Sequence, residues 1–129
     1  MSEQERPTGL DRPVRRYLQH LTVERGLSDN TLTSYRRDLD RYLSFLVGQR
    51  HVREPRDITT DDVRDYIQYL ARPKTDGGCG LSTRSVARGV VSARGLHKFW
   101  LLEGLTEHDP AETVTPVSYT HLTLPTTPY

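Results

Sequence analysis

The chain has 129 residues, of which 34% are hydrophobic and 27% charged, with a formal net charge of +1. This length predicts one domain with a tail, and the composition permits a hydrophobic core and argues against full disorder. No apolar run approaches the roughly 18 residues of a membrane span, and the start of the chain lacks the apolar region of a signal peptide. We therefore expect a cytoplasmic protein with no membrane partner.

The residues that build metal and catalytic sites are few and scattered. A single cysteine, Cys79, excludes an intrachain disulfide and a cysteine-rich zinc site. The five histidines form no HExxH motif, and the glycine-rich run 77–80 lacks the lysine of a phosphate-binding loop. We expect no metal, no cofactor, no small-molecule substrate and no catalytic residue in this chain.

Hydrophobic periodicity predicts four helices and no convincing strand. The first helix covers about 13–25, with Asp11 near its cap and Gly26 as its stop. The second begins after the capping residue Ser28 and ends near Gly48, and its six apolar residues fall within a stripe about 100° wide.

The third predicted helix is capped by Thr60 and ends before Pro73. The glycine-rich stretch 73–80 predicts a flexible turn, and Ser82 caps a fourth helix that runs to about Glu103. Short connections between four helices predict a small antiparallel bundle. Five tyrosines on or beside the apolar stripes are expected in the core or at its rim: Tyr17, Tyr35, Tyr42, Tyr66 and Tyr69.

The fourth helix carries the most informative charge pattern. On a wheel of about 100° per residue its four cations share an arc of roughly 120°, although Val91 and Leu102 also fall there. These cations are Arg84, Arg88, Arg94 and Lys98. No acidic residue occurs between Ser82 and Leu102, whereas solvated helix faces usually mix both signs. The pattern favours contact with nucleic acid, and leaves a partner protein or solvent as alternatives.

The outer face of the second helix offers Thr33, Ser34, Arg37, Arg41 and Ser44, whose hydroxyl and guanidinium groups can bond phosphates or base edges. Taken alone, an exposed polar face is the favoured interpretation of this set.

Several motifs in order resemble the N-terminal core-binding domain of tyrosine recombinases, most closely the XerD type of the Xer group. The segments that carry the resemblance are SDNTL at 28–32, YRRDL at 35–39, ITTDDV at 58–63, SVAR at 85–88 and DPA at 109–111. The resemblance spans about Tyr17 to Val114. Two features depart from the family: Gly89 and Gly95 inside the fourth helix, each costing about 1 kcal/mol against alanine, and the glycine content of the turn at 73–80.

The resemblance implies an all-α, SAM-like bundle of four to five helices that binds one side of duplex DNA with its second and fourth helices. The resemblance implies DNA contacts at Thr31, Arg36, Arg37, Arg84, Arg88, Arg94 and Lys98. We add Arg41, which lies on the outer face of the second helix, to these expected contacts. The implied division of the chain is a flexible N-terminus at 1–11, the helical DNA-binding domain at 12–112 and the start of an interdomain linker at 113–116.

The family cleaves DNA with a tyrosine in a separate C-terminal domain, which this chain is expected to lack. No histidine here is followed three residues later by arginine, as the family's catalytic motif requires, and neither Tyr119 nor Tyr129 has the partners that activate a phenol. The resemblance further implies assembly of four recombinase subunits on two DNA sites, with a cell-division DNA translocase as a possible partner. A phage or mobile-element integrase and an all-α protein-interaction module with a basic face are the alternatives.

Residues 113–129 contain six threonines and three prolines but no Asp, Glu, Lys or Arg. A natural linker, a disordered terminus and foreign sequence read through from a cloning or sequencing junction are the competing explanations. We favour foreign sequence from Val117 onward, and expect 117–129 to be a foreign or disordered tail.

Overall fold

The computed structural model describes residues 9–114, which fold into four α-helices and contain no strand. The helices are α1 (Asp11–Val23), α2 (Asp29–Gln49), α3 (Thr60–Ala71) and α4 (Thr83–Leu102). The all-α prediction is confirmed for this part of the chain. The predicted tail at 117–129 and most of the predicted flexible N-terminus lie outside the described residues.

Helix α1 begins earlier than its periodicity predicts. Asp11 lies in the first turn, where a carboxylate suits the helix dipole, and Leu10 precedes it as a fully buried residue. The predicted flexible segment 1–11 therefore ends inside the helical bundle. The predicted stop is confirmed, because Gly26 follows the helix with a φ of 60°, a conformation that glycine adopts without strain.

The predicted caps of α2 and α4 are confirmed, and that of α3 is wrong by one residue. The Ser28 and Ser82 hydroxyl oxygens accept hydrogen bonds from backbone N–H groups in the first turns of α2 and α4. In α3 the cap is Thr59 and not Thr60: its hydroxyl accepts from the backbone N–H of Asp62, whose carboxylate accepts from the backbone N–H of Thr59. Thr59 and Thr60 are both residues of a type that caps helices. The reciprocal hydrogen bonds between Thr59 and Asp62, three residues later, identify Thr59 as the cap.

The glycine-rich turn after α3 folds back on the end of that helix. It contains a short 3-10 helix, Lys74–Asp76, and crosses the left-handed region at Gly77 and Gly80. Backbone N–H groups of the turn donate to the carbonyls of Tyr69, Leu70 and Arg72. The glycines thus let the turn satisfy carbonyls that the helix end leaves free.

One hydrophobic core joins all four helices. Its largest fully buried side chains include Trp100, Tyr42 and Tyr66, and the predicted positions of the five tyrosines in the core or at its rim are confirmed. The core continues past α4, because Ala111 and Val114 are buried against it. Val114, the second residue of the predicted interdomain linker at 113–116, is therefore packed on the domain.

The two glycines inside α4 lie where other helices come close. A Cβ at Gly95 would overlap the Tyr17 hydroxyl of α1, and one at Gly89 would lie 3.0 Å from a methyl group of Leu70 in α3. The absence of a side chain therefore allows α4 to pack closely against two helices. This packing offsets the cost of the low helix propensity of glycine.

Candidate nucleic-acid interface

Three cations form an exposed strip along α4. Arg84, Arg94 and Lys98 are all exposed, and we call them the α4 basic strip. Their positions fall within an arc of about 80° on the helical wheel, and they extend over about 21 Å of helix at 1.5 Å per residue. Because α4 contains no acidic residue, no carboxylate on the same helix neutralises the strip.

The opposite side of α4 fixes the orientation of this strip. Val86, Val90, Ala93 and Leu96 are buried on that side. The indole N–H of Trp100 donates to the carbonyl of Pro13 at 3.1 Å, which attaches the end of α4 to α1. The basic strip is therefore held on the outside of the bundle by the packing of its own helix.

Exposed apolar side chains lie among these cations. Val91 is 47% exposed and Leu102 75% exposed, as their places on the helical wheel predict. An apolar group between cations can contact the sugar or the thymine methyl groups of a duplex, so this arrangement is compatible with DNA.

Arg88, the fourth predicted cation of α4, has a different environment. Its Nε lies 3.1 Å from Oδ2 of Asp38 and its Nη2 lies 3.3 Å from Oδ1, so that the two residues form a bidentate pair. The Ser92 hydroxyl also donates to Oδ2 at 3.2 Å, and Arg41 Nη1 lies 3.5 Å from Oδ1. Sequence reasoning did not find this pairing, because it depends on the packing of α2 against α4.

The predicted residues of α2 do not share one face. Arg36 and Arg41 lie about 140° apart around the helix. Arg41 faces α4 through Asp38, whereas Arg36 lines a groove between α1 and α2 together with Arg15 and Asp40. Arg37 is exposed between these two flanks. The structure thus brings Arg41 to the α4 side and places Arg36 away from it.

Thr31 belongs to the first turn of α2. Its backbone N–H donates to the Ser28 hydroxyl oxygen at 3.3 Å, and its own hydroxyl accepts from Ser28 at 3.0 Å. It lines a groove of about 300 Å³ between α2 and α4, opposite Arg88 and Val91. Thr31 is therefore placed beside the α4 side chains with which the sequence grouped it.

His97 is a titratable residue on the buried side of α4 that the sequence did not single out. Its Nε2 lies 2.6 Å from the Tyr42 hydroxyl, and its ring meets Trp100 edge-on. Burial, with a smaller contribution from His108, lowers the pKa of His97 to about 3, and burial raises the pKa of Tyr42 well above its usual value. Both groups are uncharged at neutral pH, so the positive charge of α4 lies on its exposed side.

Within residues 9–114, no group of three or more His, Cys, Asp or Glu side chains is arranged to hold a metal ion. No helix in this range is long and apolar enough to cross a membrane.

Comparison with known families assigns the fold. Residues 14–104 match the family described as phage integrase, N-terminal SAM-like domain. The chain belongs to this family. The predicted SAM-like fold and the predicted resemblance to tyrosine recombinases are thereby confirmed.

This SAM-like domain is similar to part of several tyrosine recombinases. It is 48% identical over 100 residues to tyrosine recombinase XerD of Corynebacterium glutamicum, covering 78% of this chain and 32% of that protein. It is 45% identical over 101 residues to XerD of Mycobacterium tuberculosis, again covering 78% of this chain and 32% of that protein. It is 36% identical over 116 residues to XerD of Chlorobaculum tepidum, covering 88% of this chain and 34% of that protein. The chain spans about a third of the length of these relatives, and no solved structure matches it.

Proposed function

We propose that this chain is the DNA-binding N-terminal domain of a site-specific tyrosine recombinase. The observation that carries the proposal is the α4 basic strip, which is exposed, of one sign and on a helix without acidic residues. Duplex DNA presents regularly spaced negative charges, and a strip of cations about 21 Å long spans several phosphates. The names of the relatives support the same function.

DNA contact would involve the α4 basic strip together with Arg88, and exposed or half-buried side chains of α2. On α2 these are Thr31, Arg37 and Arg41. Arg36, on the flank of α2 that faces α1, belongs to a DNA interface only if the duplex also reaches the groove between α1 and α2. We therefore expect substitution of Arg36 to weaken DNA binding less than substitution of Arg37.

The domain would act within a larger recombinase. In this proposal a separate C-terminal domain carries out strand cleavage, and four subunits assemble on two DNA sites in the cytoplasm. Resolution of chromosome dimers at cell division, with a DNA translocase as partner, is the role that the resemblance to the Xer group implies. An integrase of a phage or mobile element is the alternative. The description of the matched family, phage integrase, supports this alternative.

Binding of a fluorescently labelled 30-base-pair duplex tests the proposal against an all-α protein-interaction module. The double variant Arg84→Ala/Lys98→Ala removes two charges from the α4 basic strip. The matched control, Arg53→Ala/Arg64→Ala, removes two exposed charges from the connection before α3 and from α3 itself.

We expect the strip variant to reduce the slope of log affinity against log salt by about 1.8, or about 0.9 for each lost phosphate contact. The control should change the slope by much less. Equal effects of the two variants would mean that binding follows net charge alone and does not use α4 as its interface.

A further inference from the structure

We infer that Arg88, held in position by Asp38, reads a base edge and sets the DNA sequence preference of the domain, whereas the α4 basic strip binds phosphates. The inference rests on the proposed DNA-binding function and divides its cations into two kinds. The division follows from what each guanidinium or ammonium group contacts within the bundle.

The pairing leaves one edge of the Arg88 guanidinium open. Asp38 accepts from Nε and from one N–H of Nη2. A guanidinium carries five N–H donors in a fixed plane, so the N–H groups at its far end, on Nη1 and Nη2, point away from the carboxylate. No residue in 9–114 accepts from Nη1, and the Arg88 side chain is 49% exposed. Two parallel donors of this kind match the O6 and N7 acceptors of guanine in the major groove.

The carboxylate that orients Arg88 is itself fixed. Asp38 is 2% exposed and also receives the Ser92 hydroxyl and Arg41. Because three side chains hold its two oxygens, the carboxylate keeps one orientation and so keeps the Arg88 guanidinium in one plane. A donor pair fixed before binding loses little side-chain entropy when it meets a base, which is what sequence readout requires.

The charge balance also favours a base over a phosphate at Arg88. The negative charge of Asp38 offsets part of the positive charge that Arg88 and Arg41 bring to this place, and it would repel a phosphate nearby. The edge of a base is uncharged, so its recognition depends on the geometry of the donors more than on net charge. The α4 basic strip contains no such internal carboxylate.

The groove beside Arg88 suits the edges of bases. It measures about 300 Å³ and is lined by the hydroxyl-bearing residues Thr31 and Ser34 on α2 and by Val91 on α4. Val91 follows Arg88 by three residues, so the two lie on neighbouring turns of one face. An apolar group at that place can contact the methyl group of a thymine next to the guanine.

Selection from duplexes with 20 random central base pairs, using the full 129-residue chain, tests the inference. Arg88→Lys keeps the charge but loses the paired donors, and Arg84→Lys is the matched control on the α4 basic strip. We expect the wild-type chain and Arg84→Lys to enrich a guanine at the same position. Arg88→Lys should lose that preference, a change of about 5- to 150-fold in discrimination between guanine and adenine in direct binding assays.

A second variant separates positioning from general stability. Asp38→Asn should lose the guanine preference while its affinity for duplexes without the enriched site stays equal or rises, because a negative charge is removed next to DNA. A purely structural role of Asp38 would weaken both kinds of binding. If circular dichroism shows that Asp38→Asn is unfolded, Ser92→Ala, which keeps every charge and removes one hydrogen bond to the carboxylate, is expected to reduce the preference instead.

The outcomes separate this inference from the proposed function. Absence of any DNA binding by the wild-type chain at 50 mM salt would overturn the proposed function. Binding without an enriched guanine, an unchanged preference in Arg88→Lys, or an unchanged preference in both Asp38→Asn and Ser92→Ala would overturn the inference and leave the DNA-binding function standing.

Discussion

At the scale of single residues, burial and pairing decide which polar side chains are available for function. Arg88 and Arg84 are both exposed arginines of α4, but within residues 9–114 only Arg88 is paired with a buried carboxylate. His97 lies on the same helix and is fully buried in an uncharged hydrogen bond with Tyr42. The same helix therefore carries an exposed charge, a positioned charge and a neutral titratable group.

The pKa of His97 predicts how stability depends on pH. In the unfolded chain its ordinary pKa is 6.5, and in the folded chain the pKa is about 3 because of burial. Between these values the unfolded state binds a proton that the folded state does not, so the free energy of unfolding falls as the pH falls. From pH 7 to pH 5 we expect a loss of about 2 kcal/mol from this residue alone.

Urea unfolding of the wild type and of His97→Gln at several pH values measures this contribution. Glutamine does not titrate and retains a hydrogen-bonding partner for Tyr42, and all other titratable groups are common to both proteins. The difference between the two proteins should therefore change by about 2 kcal/mol over this range. Parallel curves for the two proteins would show that His97 is protonated as readily in the folded chain as in the unfolded one.

Sequence reasoning identified the charged residues of α4 but not their separate environments. The wheel placed Arg88 with Arg84, Arg94 and Lys98, because it describes one helix and contains no information about neighbours. The pairing with Asp38 joins residues 50 positions apart in the chain. The aspartate appeared only as part of the YRRDL motif, and its burial follows from the packing of α4 over that side of α2.

At the scale of the helices, side-chain caps and close contacts set where each element begins and how near its neighbours lie. Hydrophobic periodicity was sufficient to predict all four helices, because each has an apolar stripe that the core requires. It did not predict the exact cap of α3 or the reason for the glycines of α4. Those features depend on hydrogen bonds and contacts that several sequences satisfy equally well.

The cap of α3 gives a direct test at this scale. Thr59→Ala removes the hydroxyl that accepts from Asp62 and breaks the reciprocal pair, so we expect a loss of about 1 kcal/mol in the free energy of unfolding. Thr60→Ala, one residue later in the first turn, is the matched control and should change stability by less than about 0.5 kcal/mol. A larger loss of unfolding free energy in Thr60→Ala than in Thr59→Ala would show that Thr60 caps the helix, as the sequence predicted.

The contact between α4 and α1 predicts the effect of adding one methyl group. Gly95→Ala would push a Cβ into the buried Tyr17 hydroxyl, and we expect a loss of about 1–3 kcal/mol in the free energy of unfolding. Gly48→Ala in α2 is the control: apart from the nearby backbone of α2, its Cβ meets no atom of residues 9–114 within 4 Å, so it should stabilise the domain by about 0.5–1 kcal/mol.

Tyr17→Phe identifies the cause of that loss, because it removes the hydroxyl and leaves the ring carbon 3.4 Å from the new Cβ. In a double-mutant cycle measured by thermal unfolding, Gly95→Ala should cost clearly less in the Tyr17→Phe background. The same cost in both backgrounds would show that the hydroxyl does not limit the approach of the two helices.

At the scale of the whole molecule, the distribution of charge matters more than its sum. A net charge of +1 gives no preference for an anionic partner, but α4 itself contains no acidic residue and exposes the three cations of the α4 basic strip. The all-α fold and the family were accessible from the sequence, because both depend on patterns along the chain. The composition of the interface depends on which flank of α2 faces α4, and only the packed bundle settles that for Arg36 and Arg41.

The salt dependence of wild-type binding to duplex DNA tests most directly whether α4 provides the interface. With about 0.9 counterions released per phosphate, three contacts from the α4 basic strip predict a slope of log affinity against log salt of about −2.7, and a fourth from Arg37 predicts about −3.6. Fluorescence anisotropy between 50 and 200 mM salt measures this slope. A value in that range supports the proposed interface, whereas a slope near zero, or no binding at the lowest salt, would contradict it.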